Sequence, residues 1–347
     1  MPRMRTQMAQ VDYMAILEGA WQQHLEERKL DAPTLISTFA GCGGSSLGYS
    51  MAGFRELLAV EWDDNAVATF KLNFPDVPVY HGDIHKLTVE KCLEMIGLQP
   101  GEIDLLDGSP PCQGFSTAGK RKMEDKRNQL YMEFIRLLRG LRPKVFVMEN
   151  VSGLVKGKMK LVFADIMQEM KASGYRVRCK LLNAMYFQVP QSRQRLIWIG
   201  VRDDLGIEVS FPKAEHRPIT AGQAIVGADS MPLGRPTLAV RNVSRQIRPG
   251  EGAGKYTKHG TAFSVIRLDE RRPAPTLTKS LAGMSGIMQP TGDSYLSAAQ
   301  IKRLASYPGS FRLMGAATRK WACIGNSVPP LFMRAIAKHI RTEILKA

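Results

Sequence analysis

Thr34-Leu35-Ile36-Ser37-Thr38-Phe39-Ala40-Gly41-Cys42-Gly43-Gly44-Ser45-Ser46-Leu47 carries the signal that sets the architecture. Residues 34–39 make a short apolar run suited to a buried strand. The glycines after them mark a tight turn, and 45–52 return to a helical pattern. Strand, glycine-rich turn and helix in that order open a doubly wound α/β sheet. The alternation then continues. A strand over 57–61 precedes a helix over 63–73 with an acidic cap, and further strands fall at 103–107, 144–149, 176–182 and 196–201. Helices over 130–141 and 158–172 separate several of them. The expectation is a mostly parallel sheet covered by helices.

Upstream of this run, residues 1–32 hold one amphipathic helix, around 13–28, read as an extension rather than core. The pattern changes after about residue 202, where Gly, Pro and Arg accumulate among short β-like runs, with a brief helix near 221–226. We read this as a small second lobe of mostly β and irregular structure. A last helix over 330–346 is long enough to pack back on the first lobe. The expected division is 1–32 as N-terminal extension, 33–202 as catalytic and cofactor-binding domain, 203–270 as a second lobe, and 271–347 as a return segment completing the first.

Composition narrows the function classes. The chain has 347 residues, 44% hydrophobic and 7% aromatic, ordinary for a globular protein with a full core. No apolar run approaches the ~20 residues that span a bilayer. Residues 1–10 lack the apolar segment of a secretory signal, so a cytoplasmic location is expected. The five cysteines, Cys42, Cys92, Cys112, Cys179 and Cys323, are scattered and form no Cys-x-x-Cys pair. That pattern argues against a disulfide framework and against a structural zinc site, and no metal is expected. A net charge of +16 favours a polyanionic partner, because neutralising phosphates releases counterions.

The glycine-rich turn is a candidate cofactor site. Glycines let a backbone approach a ligand closely, and helix N-terminal amides favour acceptor-rich groups. A dinucleotide fingerprint would place a third glycine at position 46, which is Ser46. Glu61 ends the next strand about 18 residues on, where an acid accepts ribose hydroxyls. Asp83, after the next β-like stretch, is a candidate partner for an adenine amino group. These features suit a nucleoside cofactor without pyrophosphate better than a nicotinamide dinucleotide.

Three further motifs fall at strand ends. Gly108-Ser109-Pro110-Pro111-Cys112-Gln113-Gly114-Phe115-Ser116 follows the strand at 103–107, and its paired prolines present Cys112 in a rigid turn at the carboxyl edge of the sheet. Ligands of open α/β sheets collect at that edge. A cysteine there is placed for nucleophilic attack if its thiolate fraction is raised, and Lys120, Arg121 and Lys122 are near in sequence. A small buried apolar cysteine is the bland alternative. Met148-Glu149-Asn150-Val151 ends another strand, where Glu149 can hold or share a proton. In Gln191-Ser192-Arg193-Gln194-Arg195 the arginines alternate onto one expected face, able to grip a base carbonyl or a phosphate.

Taken with Gly325-Asn326-Ser327-Val328-Pro329-Pro330, these motifs resemble, in kind and order, the DNA (cytosine-5)-methyltransferase family of prokaryotic and phage type. The resemblance covers roughly residues 34–202 and 271–345. It implies a Rossmann-like methyltransferase fold and S-adenosylmethionine as cofactor, held by Phe39, Ala40, Gly41, Gly43, Gly44, Glu61, Trp62, Asp83, Ile84, Pro110, Asn326 and Ser327. It implies Cys112 as the nucleophile toward a flipped cytosine, Glu149 as partner of the ring N3 and exocyclic amine, and Arg195 with Arg193 at the base carbonyl. Many members carry an acid two residues before the motif's Phe. Here that residue is Ser37, which puts one minor contact in doubt.

The partner implied is double-stranded DNA. Gln113, Ser116, Lys120 and Arg121 would lie on it, the last three in a loop over 115–128 with five Lys or Arg residues. The family places target reading at 203–270. Between 235 and 258, Arg235, Arg241, Arg245, Arg248, Lys255 and Lys258 stand with one acid, Glu251. Such residues read guanine edges or hold phosphates, and the sequence does not divide the two roles. The small lobe suggests a short target. A monomer suffices for methylating one strand at a time, and a restriction endonuclease encoded elsewhere is a further expected partner. Two rivals share the fold: an RNA cytosine-5 methyltransferase of tRNA type, and a DNA-binding relative without chemistry. The residues after Cys112 favour the DNA branch, and the intact Cys112, Glu149 and glycine turn favour an enzyme.

Overall fold

The computed structural model describes residues 12–111, 130–157, 159–214, 217–257, 264–281 and 285–347. The first part of the chain alternates strand and helix: α1 (Tyr13–Leu25), β1 (Thr34–Thr38), α2 (Gly44–Met51), β2 (Arg55–Glu61), α3 (Asp64–Asn73), β3 (Val79–His81), α4 (Val89–Ile96), β4 (Leu105–Gly108), α5 (Leu130–Leu141), β5 (Val145–Val151) and α6 (Met159–Ala172). Two long strands follow, β6 (Tyr175–Asn183) and β7 (Gln194–Arg202). Local chemistry explains the boundaries. Asp63 caps α3 by accepting from the Ala66 amide, and Thr88 does the same for α4, which ends at Gly97 in the left-handed region.

Among the described residues the strands form a seven-stranded sheet in the order β3-β2-β1-β4-β5-β7-β6. The pairs from β3 through to β5 are parallel, whereas β7 runs antiparallel to both β5 and β6. The mostly parallel expectation therefore holds, with one reversed strand. That reversal matters for the site: the start of β7 meets the end of β5, with Arg195 opposite Val151.

Successive strand residues feed two cores, as a pleat of period two requires. Leu35, Leu105, Val145, Val147, Ile197 and Ile199 face one core, while Ile36, Leu106, Phe146, Met148, Leu196 and Trp198 face the other. Helix α1 joins the first. Its stripe of Tyr13, Leu17 and Ala20 is buried there, and the Tyr13 hydroxyl donates to the Arg303 carbonyl at 2.8 Å. The sequence suggested an extension outside the core. The i, i+4, i+7 spacing of these three residues instead docks the helix.

The remainder is shorter-ranged. Helices α7 (Ala221–Ile225) and α8 (Leu238–Val243) precede strands β8 (Ser264–Arg267) and β9 (Ser285–Met288), which pair in parallel. The β8–β9 pairing runs across the boundary expected at 270. Then come α9 (Ala298–Leu304), α10 (Ala317–Asn326) and α11 (Pro330–His339), the last continuing as a π-type turn over Ile340–Leu345. Proline at the first position of α11 costs no backbone donor. Helices α4, α8, α9 and α10 were not anticipated. Among the described residues no helix is long and apolar enough to cross a membrane.

Candidate active site

The turn after β1 is held in an unusual backbone. Phe39, Gly41 and Gly43 have φ of 55°, 56° and 89°. The Gly41 amide donates to Glu61 Oε2 at 2.8 Å, and Glu61 Oε1 accepts from the Trp62 and Asp63 amides at 2.8 and 2.9 Å. An ionised carboxylate offers about four acceptor positions, so Glu61 keeps capacity for a further donor. A Cβ added at Gly41 would meet nothing within 4 Å, so the outer side of the turn is open. A Cβ at Gly44 would lie 2.5 Å from the Val328 carbonyl and 2.8 Å from the Ser327 Cβ, so the return segment closes directly on the turn.

Other expected cofactor residues have defined surroundings. Trp62 is 76% exposed beside Glu61, unusual for so large an apolar ring. Asp83 Oδ1 accepts from the His85 amide and pairs with His85 Nδ1, and these bonds hold its carboxyl below the usual carboxylate range. Ile84 is buried. Asn326 ends α10 and is exposed, while the Ser327 hydroxyl donates to the Cys323 carbonyl at 2.6 Å. An open turn, a placed carboxylate and an exposed indole fit a nucleoside, which needs a hydroxyl acceptor and a stacking face. Where position 37 lacks an acid, β2 supplies one: Ser46 Oγ donates to Glu56 Oε1 at 3.0 Å and lies 3.4 Å from Ser37 Oγ.

Glu149 and Arg195 meet at the carboxyl edge. Glu149 Oε1 lies 2.6 Å from Arg195 Nε, with both side chains largely buried. The next residue, Asn150, donates from Nδ2 to the Pro110 carbonyl at 3.1 Å, tying β5 to the Pro-Pro turn. Sequence reading assigned Asn150 no role, although it stands inside the Glu149 motif. Cys112, Gln113, Ser116, Lys120, Arg121 and Lys258 lie outside the described residues.

Arg193 does not join the pair. Its guanidinium donates to the carbonyls of Leu277 at 2.9 Å and Gly325 at 3.1 Å. Burial, reinforced by the Arg195 charge, pulls it down to about 9, against the opposing pull of Glu149. The arginines were expected on one face by strand alternation. β7 begins only at Gln194, so Arg193 precedes the pleat and points into the return segment. Its bonds brace Leu277 and the residue before Asn326 and Ser327.

In the segment expected as a second lobe, Arg241, Arg245, Arg248 and Lys255 are exposed, Arg241 on α8, and Lys255 pairs with Glu251 at 2.8 Å. The cysteine expectation fails at one pair. Cys42 and Cys323 are joined as a disulfide, with Cα atoms 5.7 Å apart across a sequence separation of 281. Spacing along a chain carries no information about a contact made only when the return segment closes on β1's turn.

A buried polar contact links α2 to β4. Tyr49 on α2 donates to Asp107 Oδ1 at 3.0 Å, and Thr38 Oγ1 donates to the Asp107 carbonyl at 2.9 Å. Burial pushes the Asp107 carboxyl up to about 8, offset by hydrogen bonds from Tyr49 and Ser45 and increased by the charges of Glu56 and Glu149. The folded protein thus favours the neutral acid. Its contribution is complete below the ordinary value of 3.8 and is lost as pH rises toward about 8. Asp107→Asn keeps an acceptor for Tyr49 and removes this titration. The expected result is a smaller fall in thermal midpoint between pH 5 and 9, by about 5 °C relative to wild type. Parallel melting curves across that range would remove the assignment.

The chain matches the family model described as C-5 cytosine-specific DNA methylase over residues 34–231. It is 33% identical over 327 residues to the type II methyltransferase M1.HphI of Haemophilus parahaemolyticus, covering 88% of this chain and 86% of the relative. To the type II methyltransferase M.AquIA of Picosynechococcus it is 44% identical over 200 residues, covering 55% of this chain and 80% of the relative. Among solved structures, an E. coli prophage protein described as a DNA modification methyltransferase superposes with a TM-score of 0.75 at 25% identity, covering 90% of this chain and all of that one. Spodoptera frugiperda DNMT2 shares the fold, with a TM-score of 0.66 at 18% identity, covering 87% of this chain and 98% of that one.

Proposed function

This chain belongs to the C-5 cytosine-specific DNA methylase family, and on that premise we propose that it methylates a flipped-out cytosine within a short duplex sequence through a covalent Cys112–C6 adduct. The observation that carries the proposal is the Glu149–Arg195 pair, set beside a Pro110 carbonyl anchored by Asn150 and two residues ahead of Cys112 in the chain. S-adenosylmethionine would be held by the turn at Phe39–Gly44 with Glu61, Trp62, Asp83, Ile84, Asn326 and Ser327, and it supplies an electrophilic methyl group when bound.

Cytosine C5 is too weak a nucleophile to accept that methyl unaided. The Cys112 thiolate adds to C6, and the ring electrons move toward N3 and C5. A proton held by Glu149 at N3 and a guanidinium hydrogen bond from Arg195 to the base carbonyl stabilise the charge that develops. C5 then takes the methyl group, loses its proton to a base, and the electron pair expels Cys112 as thiolate. A stacked base cannot be approached in this way, so the cytosine leaves the helix. The second lobe, with Arg241, Arg245, Arg248, Lys255 and Lys258, would read the target and hold its phosphates. The type II relatives support a restriction-modification setting, and with it we propose a cytoplasmic location and a cognate endonuclease as partner.

Bisulfite sequencing of host DNA after expression of the intact chain tests this reading and identifies the target together. One short sequence should be protected at a fixed cytosine in nearly every copy. Protection no greater than in an empty-vector control would overturn the function.

A further inference from the structure

Cys42 stands between two glycines of the cofactor turn, and Cys323 lies in the last turn of α10, just ahead of Asn326 and Ser327. Both are buried, at 5% and 6% exposure, in a small apolar cluster with Ala66 and Leu313. Their Cα separation of 5.7 Å falls within the span that a disulfide bridges without backbone movement. The surroundings connect each cysteine to the site. Cys42 follows the amide that binds Glu61, and the Cys323 carbonyl receives the Ser327 hydroxyl. The bond therefore joins two segments, far apart in sequence, that close on the same ligand-facing turn.

We propose that Cys42 and Cys323 form a reversible modification site, whose oxidation by a low-molecular-weight disulfide staples the cofactor turn to the return segment and slows cofactor exchange. The proposal rests on the cofactor reading above for its consequence, though not for the bond itself. One cysteine thiolate attacks the small disulfide and expels one thiolate, leaving a mixed disulfide on the protein. The second cysteine thiolate then attacks the protein sulfur and expels the other. The two protein thiols are oxidised, the reagent is reduced to two thiols, and the two protons pass to the released thiolates.

With the bond formed, the Gly41–Glu61 hydrogen bond and the Glu149–Arg195 pair are both in place. Oxidation should thus preserve binding while restricting any parting of turn and return segment, which is the motion the proposal assigns to cofactor exchange. Cross-linking residues so far apart also removes much freedom from the unfolded chain.

The test compares the purified full chain, reduced with a dithiol or exposed to oxidised glutathione, with Cys323→Ser treated identically. Peptide mapping without reductant should recover Cys42 and Cys323 linked in the oxidised wild type and in neither Cys323→Ser sample. The thermal midpoint of the wild type should rise on oxidation by about 5 °C, reversibly. Dissociation of labelled S-adenosylhomocysteine should slow by about threefold or more on oxidation, with no change in the variant. Absence of the linked peptide overturns the site. A linked peptide with unchanged dissociation overturns the lock. Failure of either redox form to bind S-adenosylhomocysteine would count against the cofactor reading, while the peptide map still decides the bond.

Discussion

Cys112→Ala is expected to abolish methyl transfer, lowering the single-turnover rate by about 10⁴-fold or more while duplex and cofactor affinity stay within about threefold of wild type. The size follows from the chemistry. Without addition at C6, C5 has no enamine character, and no hydrogen bond at N3 creates it. Removing a nucleophile deletes a bond made only after binding, so the loss falls on the rate and not on affinity. The substitution is also small: Cys to Ala removes one sulfur atom, and the Pro110 carbonyl two residues earlier in the chain is held independently by Asn150. Transfer of tritiated methyl to a duplex carrying the target, under enzyme excess, measures the effect. A rate within tenfold of wild type would end the covalent mechanism. Loss of duplex binding together with rate would instead show that the residue holds the loop.

Much of this site can be read in the chain because its residues answer to local rules. Glycines at 41 and 43 adopt positive φ, a requirement visible in the sequence. Glu61 and Glu149 fall at or near strand ends, which apolar runs locate well. What escaped reading depends on tertiary closure. The reversal of β7, which carries Arg195 to the end of β5, has no signature in a run of apolar residues. The fate of Arg193 turned on where β7 begins, a matter of one residue, and strand ends are the least certain feature of a pattern. Helix α10 was missed because its sequence, with Thr318, Arg319 and Lys320 near its start, has no long apolar stripe. With it went the Cys42–Cys323 contact. Tyr49–Asp107 was unreadable for a similar reason: a polar pair between a helix and a strand across 58 residues leaves no spacing to detect.

Glu149→Gln is expected to lower the single-turnover rate by about 10²- to 10³-fold, with a thermal midpoint lowered by several degrees and little change in duplex affinity. The carboxylate is buried, and Arg195 Nε lies 2.6 Å from its Oε1. Glutamine retains the shape and one oxygen, so it can still receive the Arg195 donor. Two things are lost. The amide cannot neutralise the guanidinium in the resting protein, and it cannot take up and pass a proton to N3 as the ring gains electrons. Burying Arg195 without its counter-ion has a cost. That cost should appear as reduced stability, whereas loss of the proton appears only in the rate, so the two measurements separate the roles. Arg195→Lys supplies the cross-check. If both groups act on one base, the double substitution should slow the reaction by much less than the product of the single effects. A Glu149→Gln enzyme within about threefold of wild type would remove the acid from the mechanism. Strictly multiplicative losses would mean that Glu149 and Arg195, although paired in the folded protein, act on the reaction separately.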